Sequence, residues 1–149
     1  TRVMMLPEFD NNGNLPVGIH PASFDEIQVR FGTNSPRRKW LVERLLEIIV
    51  TAQATGKLRR MFLWGSFVTA KEEPNDLDVL LIMSADFESS EVSGEAELLF
   101  DYLKAKMRFT ADVFWARASM PSEILQSWLE TYQITKDFYE RGIIEVRLL

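Results

Sequence analysis

Asp76 and Asp78 stand two residues apart at the head of the apolar run Val79-Leu80-Leu81-Ile82-Met83. In a strand over residues 76–83 their side chains leave the same face. At about 6 Å and an effective dielectric near 20, two carboxylates repel by about 3 kcal/mol, which a cation between them relieves. Hard divalent ions take oxygen ligands and are commonly shared between one or two carboxylates and substrate phosphates. The pair is therefore a candidate Mg²⁺ site for phosphoryl transfer. Upstream, the run Met61-Phe62-Leu63-Trp64 ends in Gly65-Ser66, and nine residues separate Ser66 from Asp76. Gly65 lets a ligand approach the backbone where a Cβ would clash. Ser66, opening a short helix, offers a hydroxyl and free N–H groups to a phosphate. A third carboxylate, Asp112, interrupts the apolar segment Thr110 to Ala116. Unpaired there it costs several kcal/mol. A shared metal supplies a partner and leaves Asp112 to receive the proton of an attacking hydroxyl; the alternative is a carboxylate capped by an arginine or a backbone N–H.

These groups need strands to carry them, and the hydrophobic pattern supplies three: Met61 to Trp64, Asp76 to Met83 and Thr110 to Ala116. Ser23 and Glu26 have capping-box spacing for a helix to about Phe31, ended by Gly32. Ser35 and Pro36 open a longer helix in which Leu41, Leu45, Ile48, Ile49 and Ala52 recur at helical spacing until Gly56. Glu95 to Arg108 reads as one helix, and another from Pro121 carries Ile124, Leu125, Trp128, Leu129 and Tyr132 on one face. At the C-terminus Ile144, Val146 and Leu148 alternate with Glu145 and Arg147, predicting a strand over 143–149 that completes a sheet or leaves an edge open to another chain, including a second copy. Turn residues crowd 7–21, an ordered arm or hairpin turn. The acidic stretch 84–94 predicts an exposed loop, either a plain connection or a flap over a nucleotide. With no internal repeat or linker, the expectation is one domain over 1–149 (arm 1–21) of α/β (α+β) class, a small mixed sheet flanked by helices.

The spaced residues resemble the minimal catalytic signature of the DNA polymerase β superfamily of nucleotidyltransferases: an apolar strand, Gly-Ser, a spacer of about nine to twelve residues, Asp-x-Asp in a second apolar strand, and a later carboxylate. Met61 to Met83 carries the match closely and Asp112 by order and context. Leu15-Pro16-Val17-Gly18-Ile19-His20-Pro21, Arg37-Arg38, Gly65-Ser66-Phe67-Val68-Thr69, Lys71, Pro74 and Asn75 look like an uncharacterised bacterial subgroup of it. The resemblance implies the nucleotidyltransferase fold. It implies a triphosphate held by Gly65 and Ser66, with Thr69 and Lys71 of the same loop beside them. It implies two Mg²⁺ ions on Asp76 and Asp78, and a site completed by Asp112. Many minimal members carry a basic residue just after Gly-Ser. Here Phe67-Val68-Thr69 stands in its place, and Lys71, otherwise a plain surface lysine, replaces the charge.

The expected activity is transfer of a nucleoside monophosphate, AMP from ATP or that of another NTP, onto a hydroxyl of a protein or small molecule. Small stand-alone members of the superfamily point to a toxin-antitoxin or phage-defence module. The contrasting expectation is a catalytically inactive module of the same fold that binds a nucleotide or a partner. A net charge of −5 argues against extended nucleic acid. An RNA-directed transferase would need Arg37, Arg38, Lys39, Lys57, Arg59 and Arg60 to share one surface. Arg37, Arg38 and Lys39 open their helix against its dipole, either as a solvated face or to hold a phosphate or acidic partner. His20 reads as a structural hydrogen-bonding residue before a catalyst. With no cysteine and one histidine, disulfides, thiol catalysis and a zinc site are excluded. Runs such as Val79 to Met83 fall far short of the roughly 20 residues of a membrane helix, and no signal pattern opens the chain, so a cytoplasmic protein is expected. The chain starts at Thr1 without methionine, which implies residues upstream, removed or not included.

Overall fold

The computed structural model describes residues 5–148. Five strands, β1 (Ile19–Ala22), β2 (Leu58–Trp64), β3 (Leu77–Met83), β4 (Ala111–Arg117) and β5 (Ile143–Val146), form one mixed sheet in the order β1-β5-β2-β3-β4. β1 and β5 are parallel, as are β3 and β4, while β2 runs antiparallel to both of its neighbours. The helices among the described residues are α1 (Phe24–Phe31), α2 (Pro36–Ala54), α3 (Glu95–Leu99), α4 (Tyr102–Phe109) and α5 (Ser122–Tyr132). This is a mixed α+β architecture, and among the described residues no helix is long and apolar enough to cross a membrane.

Alternation along β3 sorts its side chains into two cores. Leu77, Val79, Leu81 and Met83 pack with Leu41, Leu45, Ile48 and Phe109 of α2 and α4. Leu80 and Ile82 pack on the other face with Phe62, Ile143 and Leu129 of α5. Asp78 belongs to this second face, beside Trp64 of β2. The predicted caps hold: Ser23 accepts from the Glu26 N–H while Glu26 accepts from the Ser23 N–H, and Ser35 accepts from the Arg38 N–H.

Two expectations need correction, and for two others the structure decides between the alternatives. Residues 19–22 are a strand, not part of a turn-rich arm; Pro21 is tolerated because β1 is an edge strand. His20 in it holds the Pro16 carbonyl through Nε2 at 2.6 Å, the structural role expected. The helix read over 95–108 is two, because Asp101 leaves the helical region and caps α4 by accepting from the Lys104 N–H, while Phe100 turns into a cluster with Phe87 and Trp115. The 84–94 segment is anchored at its head: Phe87 is 2% exposed, Lys57 pairs with Asp86 at 2.7 Å and Arg117 donates to the Phe87 carbonyl. It follows the far end of β3, about 20 Å or more from Asp76 at about 3.3 Å per residue, so it is no flap over the aspartates. Finally, the C-terminal strand completes the sheet, as the first alternative had it: β5 lies between β1 and β2 and offers no free edge to a second copy; it ends at Val146, and Leu149 lies outside the described residues.

Candidate active site

The strand registry places Trp64 beside Asp78 and Asp78 beside Asp112, one row of side chains across β2, β3 and β4. Asp76 stands just before β3 and completes the cluster. One carboxylate oxygen from each of Asp76, Asp78 and Asp112 lies within 4.8 Å of the other two. Asp78 stands between Trp64 and Asp112 in the row and is half-buried, as the other two carboxylates are. Its pKa is pushed up to about 7, first by burial and then by the negative charges of Asp76 and Asp112, with the Lys106 ammonium opposing the rise.

Two side chains at this site had no signature in the sequence reading. Lys106 Nζ lies 2.6 Å from Asp76 Oδ2 and 3.2 Å from Asp112 Oδ1. Burial alone would lower its pKa, but the hydrogen bonds to both carboxylates outweigh that and raise it. Tyr102 donates its hydroxyl to Asp112 Oδ1 at 2.7 Å, a bond that raises the phenol's pKa. Tyr102 and Lys106 are four residues apart and so share one face of α4. Thr110, left-handed at φ 53°, turns the chain straight from α4 into β4 and brings that face back over Asp112. The i, i+4 spacing was the available signal; the tight αβ turn that gives it meaning was not.

Gly65 has a reason beyond ligand approach. Its φ is +82°, and a Cβ there would lie 2.0 Å from Asp78 Oδ2, so the Asp78 carboxylate fills the space of the missing side chain. Ser66 then opens a single 3₁₀ turn through Val68. Thr69 is buried and donates its hydroxyl to the Ser66 carbonyl at 2.7 Å, while accepting from the Lys71 N–H at 3.2 Å; it shapes the loop from inside. The Lys71 side chain is exposed.

The first turn of α2 clamps this loop from below. Arg38, 1% exposed, donates to the carbonyls of Phe31, Phe67, Thr69 and Lys71, and burial lowers its pKa. Arg37 donates to the carbonyls of Pro74 and Asn75, and Ser35 to that of Glu72. These arginines spend themselves on backbone oxygens, not on a phosphate or an acidic partner. The arm adds a last support, since the Ala70 N–H donates to the Gly13 carbonyl at 2.8 Å.

Aromatic rings wall the row. Trp64 stacks on Tyr132 at 3.7 Å between centroids and lies 6.1 Å from Phe114, which is 5.6 Å from Tyr102. Beyond them a cleft of about 600 Å³ runs along the outer edge of β4, lined by Tyr102, Phe114, Trp115, Trp128 and Tyr132 among others. Arg141 adds a half-buried cation under the influence of Asp78, and its Nε is buried with no hydrogen-bond partner among the described residues.

The donor set fits a hard divalent cation: three carboxylates offer oxygens at one point, and the two nearby cations, Lys106 on Asp76 and Asp112 and Arg141 toward Asp78, are fewer than the carboxylates they face. No curated protein and no solved structure matches the chain. One family model does, over residues 7–147, a span that takes in every residue of this site. The chain belongs to that family, a family of unknown function (DUF6932).

Proposed function

We propose that the chain is an Mg²⁺-dependent nucleotidyltransferase with the fold of the DNA polymerase β superfamily, moving AMP from ATP, or the monophosphate of another NTP, to a hydroxyl of a protein or small molecule. The observation that carries this reading is the convergence of Asp76, Asp78 and Asp112 one registry step from the Gly65-Ser66 turn. Asp76, Asp78 and Asp112 would hold the metal, which when bound neutralises phosphate charge and favours displacement at phosphorus. The 3₁₀ turn at Ser66 positions the triphosphate, and its rigidity comes from Arg38. Asp112 accepts the proton of the attacking hydroxyl. Lys106 supplies the cation that the Phe67-Val68-Thr69 segment lacks.

The acceptor reading agrees with where the basic residues lie. Arg38 is buried, Arg37 holds carbonyls, Lys57 pairs with Asp86 and Arg60 pairs with Glu145, so four of the six residues an RNA face would need are engaged within the chain, while Lys39 and Arg59 are exposed. A place in a toxin-antitoxin or phage-defence module rests on the resemblance alone. A second reading, a nucleotide-binding module without turnover, is favoured by one observation: the Lys106 ammonium already bridges Asp76 and Asp112.

Incubation with α-³²P-labelled ATP, Mg²⁺ and a lysate of the source cell separates the two. Transfer predicts label on an acceptor with the unmodified chain and none with Asp76→Ala/Asp78→Ala. Metal-dependent nucleotide binding by calorimetry, with no label from any of the four nucleoside triphosphates, would establish the binding module.

A further inference from the structure

The attacking oxygen of a nucleotidyl transfer has to sit against the carboxylate that takes its proton, and in this chain a hydroxyl of the protein itself is already there. Tyr102 is the first residue of α4; the Asp101 cap fixes its backbone and the Phe114 ring, 5.6 Å away, lies beside its own. Its hydroxyl donates to Asp112 Oδ1 at 2.7 Å, and Asp112 Oδ1 is also held by Lys106. The ring is 47% exposed and borders the cleft along β4, which leaves room beside it for a ligand. Ser66 opens the turn at the opposite end of the Trp64-Asp78-Asp112 row, and Tyr132, a second phenol in the cleft, stacks on Trp64. Among the described residues Tyr102 is the phenol whose hydroxyl is hydrogen-bonded to one of the three carboxylates.

We propose that Tyr102 is a site of self-nucleotidylation, the acceptor of a nucleoside monophosphate from a nucleoside triphosphate bound to the same chain. This rests on the nucleotidyltransferase reading above. The Tyr102 oxygen forms a bond to the α-phosphorus, the bond from that phosphorus to the bridging β-phosphate oxygen breaks, pyrophosphate leaves, and the phenolic proton passes to Asp112. The product is a phosphodiester on Tyr102, which removes the hydrogen bond to Asp112 and puts an anionic nucleotide at the mouth of the cleft. Each chain is modified once.

The purified full chain is incubated with Mg²⁺ and each α-³²P-labelled nucleoside triphosphate, with no other protein present, and the adduct is measured by intact mass and peptide mapping. The expected result is incorporation of one nucleoside monophosphate per chain, mapped to Tyr102, absent in Tyr102→Phe and slowed about 10²-fold or more in Asp112→Asn. The unfolding midpoint of Tyr102→Phe, which loses a single oxygen, checks that the loss is not misfolding. Label on a lysate acceptor with none on Tyr102 overturns self-modification and leaves the nucleotidyltransferase reading standing. No label on either, with no nucleotide-dependent shift of the unfolding midpoint, overturns both.

Discussion

Gly65 and Asp78 form one unit at the residue scale, because the carboxylate of one occupies the Cβ position of the other. Gly65→Ala has to move Asp78 and also adopt φ +82°. The expected cost is about 1–3 kcal/mol of stability and about 10²-fold or more in transfer rate, read by chemical denaturation and by label incorporation. Asp78 also sets a pH dependence. With its folded pKa raised to about 7 and an unfolded value near 3.9, the unfolded chain releases this proton first as pH rises. Metal-free protein, kept in chelator, should therefore be most stable below about pH 4 with respect to this group, lose stability between about pH 4 and 7, and change little above. Denaturation midpoints across pH, compared with Asp78→Asn, check this; the variant should lack the slope. The carboxylate pair was legible because period 2 puts both on one face. Lys106 and Tyr102 were not, since a lysine on an amphipathic helix looks like a solvent-facing residue and Tyr102 falls in the apolar spacing of its helix, until the helix is placed over β4.

At the scale of elements, the loop between β2 and β3 is a property of α2 as much as of those strands. Arg38 satisfies four backbone carbonyls from a buried position. Arg38→Met should cost about 3 kcal/mol or more, since those carbonyls lose a charged donor. Arg38→Lys should restore little, because an ammonium cannot reach them all as a planar fork does. Both are measured by denaturant unfolding. Cations in the first turn of a helix oppose its dipole, and that local conflict was readable. What resolved it was not, because the partners lie 29 to 33 residues further on, at Phe67, Thr69 and Lys71, in a loop with no periodicity. The break between α3 and α4 escaped for a similar reason. Leu98, Leu99, Tyr102 and Leu103 keep helical spacing through it, and only the pull of Phe100 toward Phe87 and Trp115 shows why the chain turns at Asp101.

For the whole molecule, the order β1-β5-β2-β3-β4 sends the last strand into the interior of the sheet, between β1 and β2. Alternation from Ile144 to Leu148 signalled a strand, but position within a sheet depends on partners distant in sequence, here Ile19–Ala22 and Phe62-Leu63. The same topology leaves β4 as the outer edge beside the carboxylates, with the Ser66 turn at the other end of their row. The acidic balance of the chain argues against a phosphate backbone as partner. The account stands on the carboxylate trio being a divalent-metal site that works with a nucleotide, and equilibrium titration of Mn²⁺ in the presence of a non-hydrolysable ATP analogue addresses that directly. The account predicts saturable binding that falls about 10²-fold or more in Asp76→Ala/Asp78→Ala. Equal affinity in the unmodified chain and the double variant would contradict it.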